Sequence, residues 1–252
     1  MTIFDELRRV VDAGGRAVVF TIIGGEHVGA KLLVREDGTT AGDGPEELAA
    51  LAPEAIRSGR SHVLEHDGLT VFADVFAPPP RLLVYGAVDT AEALCRAARL
   101  LGWTTIVADA RARFATRERV PSADELLVAW PEEAFAQVAP DVGTAVVVLT
   151  HDDKFDLPAL QAALQSDAFY IGALGSRRNQ ERRRERLLEA GVGEIDLERV
   201  SGPCGLDIGA ESPAETALSI LAEILAVRVG RPGGALKVAR TRIHAEAVAG
   251  KK

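Results

Sequence analysis

The sequence of 252 residues predicts an α/β protein, with a Rossmann-like, mostly parallel sheet in a C-terminal domain preceded by a small α+β domain. Three observations carry that prediction. Beyond the prolines of FAPPPRLLVYG, at 78–80, short β-rich runs alternate with helical patterns, as in a sheet covered on both faces. Most of these runs end in Gly, Asp, Thr or Ser, residues suited to turning a strand into a helix. Before the prolines the order is different: a helix, a strand pair, a short helix and a hairpin. The proline triplet itself stiffens an extended connector, because each ring fixes φ and removes a donor. The expected divisions are residues 1–77, 78–230 and a tail at 231–252.

The elements follow in order. Residues 3–11 read as a helix with Phe4, Leu7, Val10 and Val11 on one face. RAVVFTII and AKLLVRED read as strands, with EDGT as the turn after the second, and GPEELAALAPEAIRSGRS as a short helix. HVLEHDGLTVFADVF reads as a hairpin around Asp67-Gly68. RLLVYG then opens the second pattern, followed by a helix to about Leu101, and TTIVADA, ELLVAW and TAVVVLTH as strands. A helix through LPALQAALQS, the strand of AFYIGALGS, a charged helix and SPAETALSILAEILAVRVG complete it.

Composition narrows the function classes. A net charge of −8 offers no general attraction to nucleic acid or to an anionic membrane. No apolar run approaches the roughly 18 residues that span a bilayer. The first residues, MTIFDELRRVVDAGG, carry acids at amphipathic spacing and do not resemble a secretory signal. Only Cys95 and Cys204 are present, with no C-x-x-C, so a disulfide framework or structural zinc is not expected and a reducing cytoplasm fits.

Ligands of open parallel sheets lie beyond the carboxyl ends of the strands, which selects four stretches. In the first, Gly86-Ala87-Val88-Asp89-Thr90-Ala91 stands where a dinucleotide fold has G-x-G-x-x-G. Gly86 suits a tight turn and Ala91 close helix packing, but Val88 replaces the glycine that admits a pyrophosphate. Asp89 is expected to cap the helix and repel a phosphate. Asp109 follows Gly86 by 23 positions, where an acid hydrogen-bonds a ribose diol. In the second stretch, Thr150-His151-Asp152 ends a strand. His151 is a candidate proton donor or ligand contact, or simply bonds a neighbouring loop, and Asp156 is expected to cap the next helix. No second His or Cys stands nearby at metal-ligand spacing, so no metal site is assigned.

The third stretch, YIGALGSRRNQERRRERL, runs from a buried strand through Gly175 to Ser176 and Arg177 at a helix start, a ready anion site. Most of the later arginines, Arg182, Arg183, Arg184 and Arg186, are expected on a solvated face, paired with Glu181, Glu185 and Glu189. The fourth is the loop of Gly202, Gly205 and Gly209 around Asp207, glycine-rich enough to wrap a ligand, with Asp207 as acceptor. Cys204 lies in it, either as an exposed thiolate or as an inert loop cysteine. Ser212-Pro213-Ala214-Glu215 is a capping box, and Cys95 belongs in the core.

Taken in order, PPPRLLVYGAVDTAEAL, VADAR, VVVLTHDDKFDLPAL, YIGALGSRRNQERR and GPCGLDIGAESPAETALSILAEI resemble the XdhC/CoxI family over about residues 78–230. GAKLLVREDGTTAG also resembles that family's N-terminal strand pair. These accessory proteins mature molybdenum hydroxylases such as xanthine dehydrogenase and carbon monoxide dehydrogenase. The resemblance implies a Rossmann-like C-terminal half, binding of molybdenum cofactor (molybdopterin), support of its sulfuration and delivery to the apo-subunit of a hydroxylase. It implies a sulfur donor protein and a homodimer among the partners. The sequence departs from the family pattern at Val88 and Asp89, at Ser201 and Cys204, and at Gly42-Asp43-Gly44, where the family has Gly-Gly-Cys.

The leading expectation is therefore a cofactor-binding maturation factor, accessory rather than catalytic. The cofactor-binding set would be Gly86, Asp109, Thr150, His151, Asp152, Gly175, Ser176, Arg177, Cys204 and Asp207. Two alternatives stand beside it. One is an NAD(P)-dependent oxidoreductase, motivated by Asp109. The other is a ligand-free protein–protein scaffold, motivated by the altered first turn.

Overall fold

A computed structural model describes residues 2–150 and 152–239. His151 and residues 240–252, most of the expected tail, lie outside the described residues. The chain divides into two compact units, Met1–Pro78 with Gly234 onward, and Pro79–Gly233.

In the first unit, α1 (Ile3–Asp12) starts from a capping box in which Thr2 and Asp5 satisfy each other's backbone N–H groups. Next come β1 (Ala17–Gly24), β2 (Lys31–Arg35) and β3 (Thr40–Gly42). A 3-10 turn at Glu46–Leu51 runs into α2 (Ala52–Ser58), followed by β4 (His62–His66) and β5 (Leu69–Phe76). The five strands form an antiparallel sheet in the order β3-β2-β1-β5-β4. The hairpin at Asp67-Gly68 has both φ angles positive, 47° and 79°, matching the right-handed strand twist. The expected face of α1 is corrected. Ile3, Leu7 and Val10 pack on Ala17, Val19 and Leu33, while Phe4 and Val11 are 67% and 50% exposed. Both stripes contain Leu7 and Val10, so spacing alone does not locate the stripe's centre; contact with the sheet does.

The second unit begins with β6 (Arg81–Tyr85), α3 (Asp89–Leu100), β7 (Thr104–Ala108) and β8 (Glu125–Leu127). It continues through α4 (Pro131–Val138), β9 (Thr144–Val148), α5 (Asp153–Leu164), β10 (Tyr170–Ala173) and α6 (Arg177–Glu189). The last elements are α7 (Glu194–Leu197), β11 (Val200–Ser201) and α8 (Pro213–Arg228). All six strands are parallel, in the order β11-β10-β9-β6-β7-β8. Counted within this sheet, the order is 3-2-1-4-5-6 read from the β8 edge, with β6 as the first strand, the doubly wound Rossmann arrangement.

The apolar runs lack alternation because both faces are covered. Leu82 and Val84 of β6 face a core built with α3 and α8, through Leu94, Cys95, Ala98, Ile220 and Ile224. Leu83 and Tyr85 face the opposite core, with Phe135 of α4, Leu160 of α5 and Leu187 of α6. Strand order reverses between β6 and β9, so the ligand crevice of this architecture opens beyond Tyr85 and Val148.

Candidate functional site

The turn after β6 is dictated by crowding. Gly86 has φ of +116°, and a Cβ there would meet Thr150 Cγ2 at 3.1 Å and Thr150 N at 3.3 Å. Glycine alone accepts both the conformation and the contact. The Gly86 N–H donates to Ala108 O at 2.8 Å, and the Ala87 N–H to Asp109 Oδ2 at 3.0 Å. Gly86, Thr150 and Asp109 are thus gathered at the switch point. Asp89, expected as a side-chain cap, makes no capping bond; Val88 is the N-cap of α3 and Asp89 is its exposed first residue. Its charge near the helix N-terminus still suits the dipole.

Asp109 differs most from its expected role. It is 1% exposed, and its two oxygens take four hydrogen bonds. Oδ1 accepts from Arg111 N and Nε, both at 2.9 Å, and Oδ2 from Ala87 N at 3.0 Å and Arg111 Nη2 at 2.8 Å. A carboxylate has about four lone-pair sites, so none is left for a ribose diol. Burial pushes the carboxyl's pKa up, but the Arg111 side chain and the backbone N–H groups of Arg111 and Ala87 outweigh it and hold the pKa low.

The expected cap at Asp156 is corrected: Asp152 caps the helix after β9, accepting from Lys154 N at 3.1 Å. Asp156 lies inside α5, 3% exposed, and forms a buried pair with Arg183 of α6, itself 6% exposed. Arg183 Nε donates to Asp156 Oδ2 at 2.7 Å, Nη1 to Gln180 Oε1 at 2.6 Å and Nη2 to Leu174 O at 3.2 Å. Thr150 Oγ1 donates to Asp156 Oδ1 at 3.1 Å. This network joins the ends of β9 and β10 to two helices. Arg183 is therefore not on the solvated face. The ion pairs of its neighbours also leave the helix: Arg182 and Arg186 reach Asp153 of α5, and Arg184 reaches Glu194 of α7.

At the start of α6, Ser176 caps the helix, its Oγ accepting from Asn179 N at 3.2 Å. The first turn of α6 contains no acid, whereas those of α3 and α5 contain Asp89 and Glu92, and Asp153 and Asp156. Arg177 lines a groove of about 400 Å³ with Gln180, Glu181, Arg183, Arg184, Val200 and Pro203, so three arginines face one acid there. Gly86, Asp109 and Thr150 do not line it. The sequence-predicted set is therefore divided between the switch-point crevice and a groove beside β11.

Cys204 is buried, and its N–H donates to Ala173 O at 3.1 Å. Burial, and then the charge of Glu223, push its thiol to about 12, which excludes a thiolate at neutral pH. Glu223, which sequence reasoning misses, accepts from Tyr170 Oη and from Gly205 N at 2.7 Å, pinning the glycine loop to α8. Its signal is an acid within ILAEILAV, next to the buried Ile224. Asp207 is exposed further along that loop.

A parallel sheet in this order, with its loops gathered at the carboxyl edge, defines a Rossmann-type domain. A family profile described as the XdhC Rossmann domain matches residues 82–224, and the chain belongs to the XdhC family. It is 34% identical over 227 residues to the uncharacterized protein YqeB of Escherichia coli K12, covering 81% of this chain and 41% of that one. It is also 34% identical to a protein of Bacillus subtilis 168 named as a probable xanthine dehydrogenase component, over 66% of this chain and 49% of that protein. It is 33% identical to the molybdenum cofactor insertion chaperone PaoD of E. coli K12, over 61% of this chain and 42% of PaoD. The chain thus spans less than half the length of these curated relatives. A crystal structure described as a xanthine dehydrogenase from Bacillus halodurans superposes with a TM-score of 0.64 at 25% identity, over 88% of this chain and 66% of that one.

Proposed function

We propose that the protein is a maturation factor that binds molybdenum cofactor as cargo and delivers it to an apo-hydroxylase of the xanthine or carbon monoxide dehydrogenase type. Family membership and the likeness to PaoD support the reading, and the observation that carries it is the groove beside the acid-free start of α6. Molybdopterin ends in a phosphate, and the backbone N–H groups of the first turn of α6, with the Arg177 guanidinium, suit such an anion. At about 400 Å³ the groove lies within the usual range for small-ligand sites. Its walls Val200 and Pro203 offer apolar surface to the rest of the cargo. Because Cys204 is buried, sulfur for the cargo comes from a separate donor protein in this proposal, and homodimerisation is part of the same proposal.

Arg177→Ala is expected to lower affinity for molybdenum cofactor about tenfold or more, the loss of one charge-assisted contact. Bound molybdenum after gel filtration of protein mixed with cofactor measures it; unchanged retention would remove Arg177 from the site. The Rossmann strand order favours a second reading, an NAD(P)-dependent oxidoreductase. Val88 in the turn and the saturated Asp109 weigh against it. An NADH titration that stays flat into the millimolar range would eliminate it.

A further inference from the structure

Beyond the cargo groove, three separate loops bring rings and cations together at the carboxyl edge. Trp130 follows β8, Arg111 and Phe114 follow β7, and Lys154 and Phe155 open α5. Trp130 and Phe155 have ring centroids 5.3 Å apart. The Lys154 ammonium lies 4.8 Å from the Trp130 centroid and 5.7 Å from that of Phe155. The Arg111 guanidinium lies 4.1 Å from the Phe114 centroid and 5.5 Å from that of Phe155. Phe114 packs on the core beneath α3 and α8 and Phe155 on the opposite core, so Arg111 bridges the two faces over the edge of the sheet.

We propose that Trp130, Lys154 and Arg111 form a subsite for a planar heteroaromatic ring bearing an anionic group. The indole of Trp130 is 42% exposed, beside Val128 at 58%, in the region where this architecture places ligands. Such an exposed apolar surface at a ligand crevice fits a stacking partner. Lys154 is exposed and carries its ammonium on a rotatable four-carbon stem, so the charge can leave the indole face to a ring and move to the ring's anionic substituent. Arg111 is held in a fixed fork by Asp109, its side chain 30% exposed, and supplies a second fixed cation. Asp152, also exposed, is the acid whose charge Arg111 feels after that of Asp109, and it disfavours a ligand with anionic charge on that side. None of these residues lines the Arg177 groove, so the subsite is spatially separate from it, and only its pterin arm rests on the proposed cargo reading.

A pterin and a nucleobase share this chemistry, and calorimetry on the full chain separates them. The probes are pterin-6-carboxylate, uncharged pterin, adenosine monophosphate and inorganic phosphate. Binding of either ring compound with no binding of phosphate is the expected result, and the ring that binds identifies the source. Trp130→Ala should weaken it about tenfold or more, the loss of one stacked ring, whereas Trp130→Phe should retain most of the affinity. Lys154→Ala, a surface change that leaves folding intact, should weaken pterin-6-carboxylate more than uncharged pterin. Arg177→Ala should leave these affinities unchanged, so failure here is distinct from failure of the cargo reading. Absence of binding by both ring compounds into the millimolar range, or wild-type affinity in folded Trp130→Ala and Lys154→Ala, would overturn the subsite.

Discussion

Arg183 and Asp156 bury opposite charges where water cannot screen them, and the other contacts of the pair are placed to offset that desolvation. The guanidinium also bonds Gln180 and the Leu174 carbonyl, and the carboxylate takes the Thr150 hydroxyl. Arg183→Ala leaves a carboxylate buried without its cation, and denaturant unfolding should show a loss of about 3–5 kcal/mol. A loss below about 1 kcal/mol would mean that water already reaches the pair. Cys204 supplies a second expectation at this scale. With the thiol pushed up to about 12, and Cys95 likewise by its own burial, the folded protein should take up no alkylating reagent at pH 8. In denaturant both cysteines should react. Rapid modification of Cys204 in the folded chain would make it a candidate sulfur carrier again.

At the scale of elements, each helix start at the carboxyl edge has a distinct chemistry. Asp152 caps α5 and Ser176 caps α6, but α6 alone of these follows its cap with arginines in place of acids. The start of α8 serves stability: Ser212 and Glu215 satisfy each other's backbone N–H groups, with Pro213 pre-set in the first turn. Ser212→Ala should cost about 1 kcal/mol, read as a lower thermal midpoint. Cofactor affinity should not change, since Ser212 does not line the Arg177 groove. This capping box is legible as a tetrapeptide because its partners are three residues apart. The cap of α5 is not legible in the same way. Asp152, Asp153 and Asp156 all precede Pro158 closely, and composition does not say which of them leaves the helix to accept the N–H.

For the whole molecule, the two units carry separate cores and separate sheets. A fragment comprising residues 79–233 should therefore unfold cooperatively on its own, with the circular dichroism of an α/β domain. A fragment with native-like secondary structure but no cooperative transition would make the parallel sheet dependent on the first unit. If the fragment folds, it also tests whether the cargo groove and the aromatic subsite are complete within the second unit, because every residue proposed for them lies there.

The sequence by itself determined most of the succession of elements, the Rossmann-like class and the family, but not α4, α7 or β11, whose short runs carry too little periodicity. Those rest on periodicity, turn residues and motif order, all of which act over a few neighbouring residues. Tertiary structure decided the fate of the charges. Arg183 meets Asp156 across 27 positions, and Glu223 meets the N–H of Gly205 across 18. No local pattern distinguishes Arg183 from Arg182 or Arg184 except that it shares a stripe with Leu187, the apolar residue of α6 buried beside it. Asp109 stands where a nucleotide fold needs its acid, yet Arg111 and the Ala87 N–H occupy all of it. The desolvation of a buried carboxylate demands a partner, and only the packed structure shows that this partner comes from the chain's own next turn.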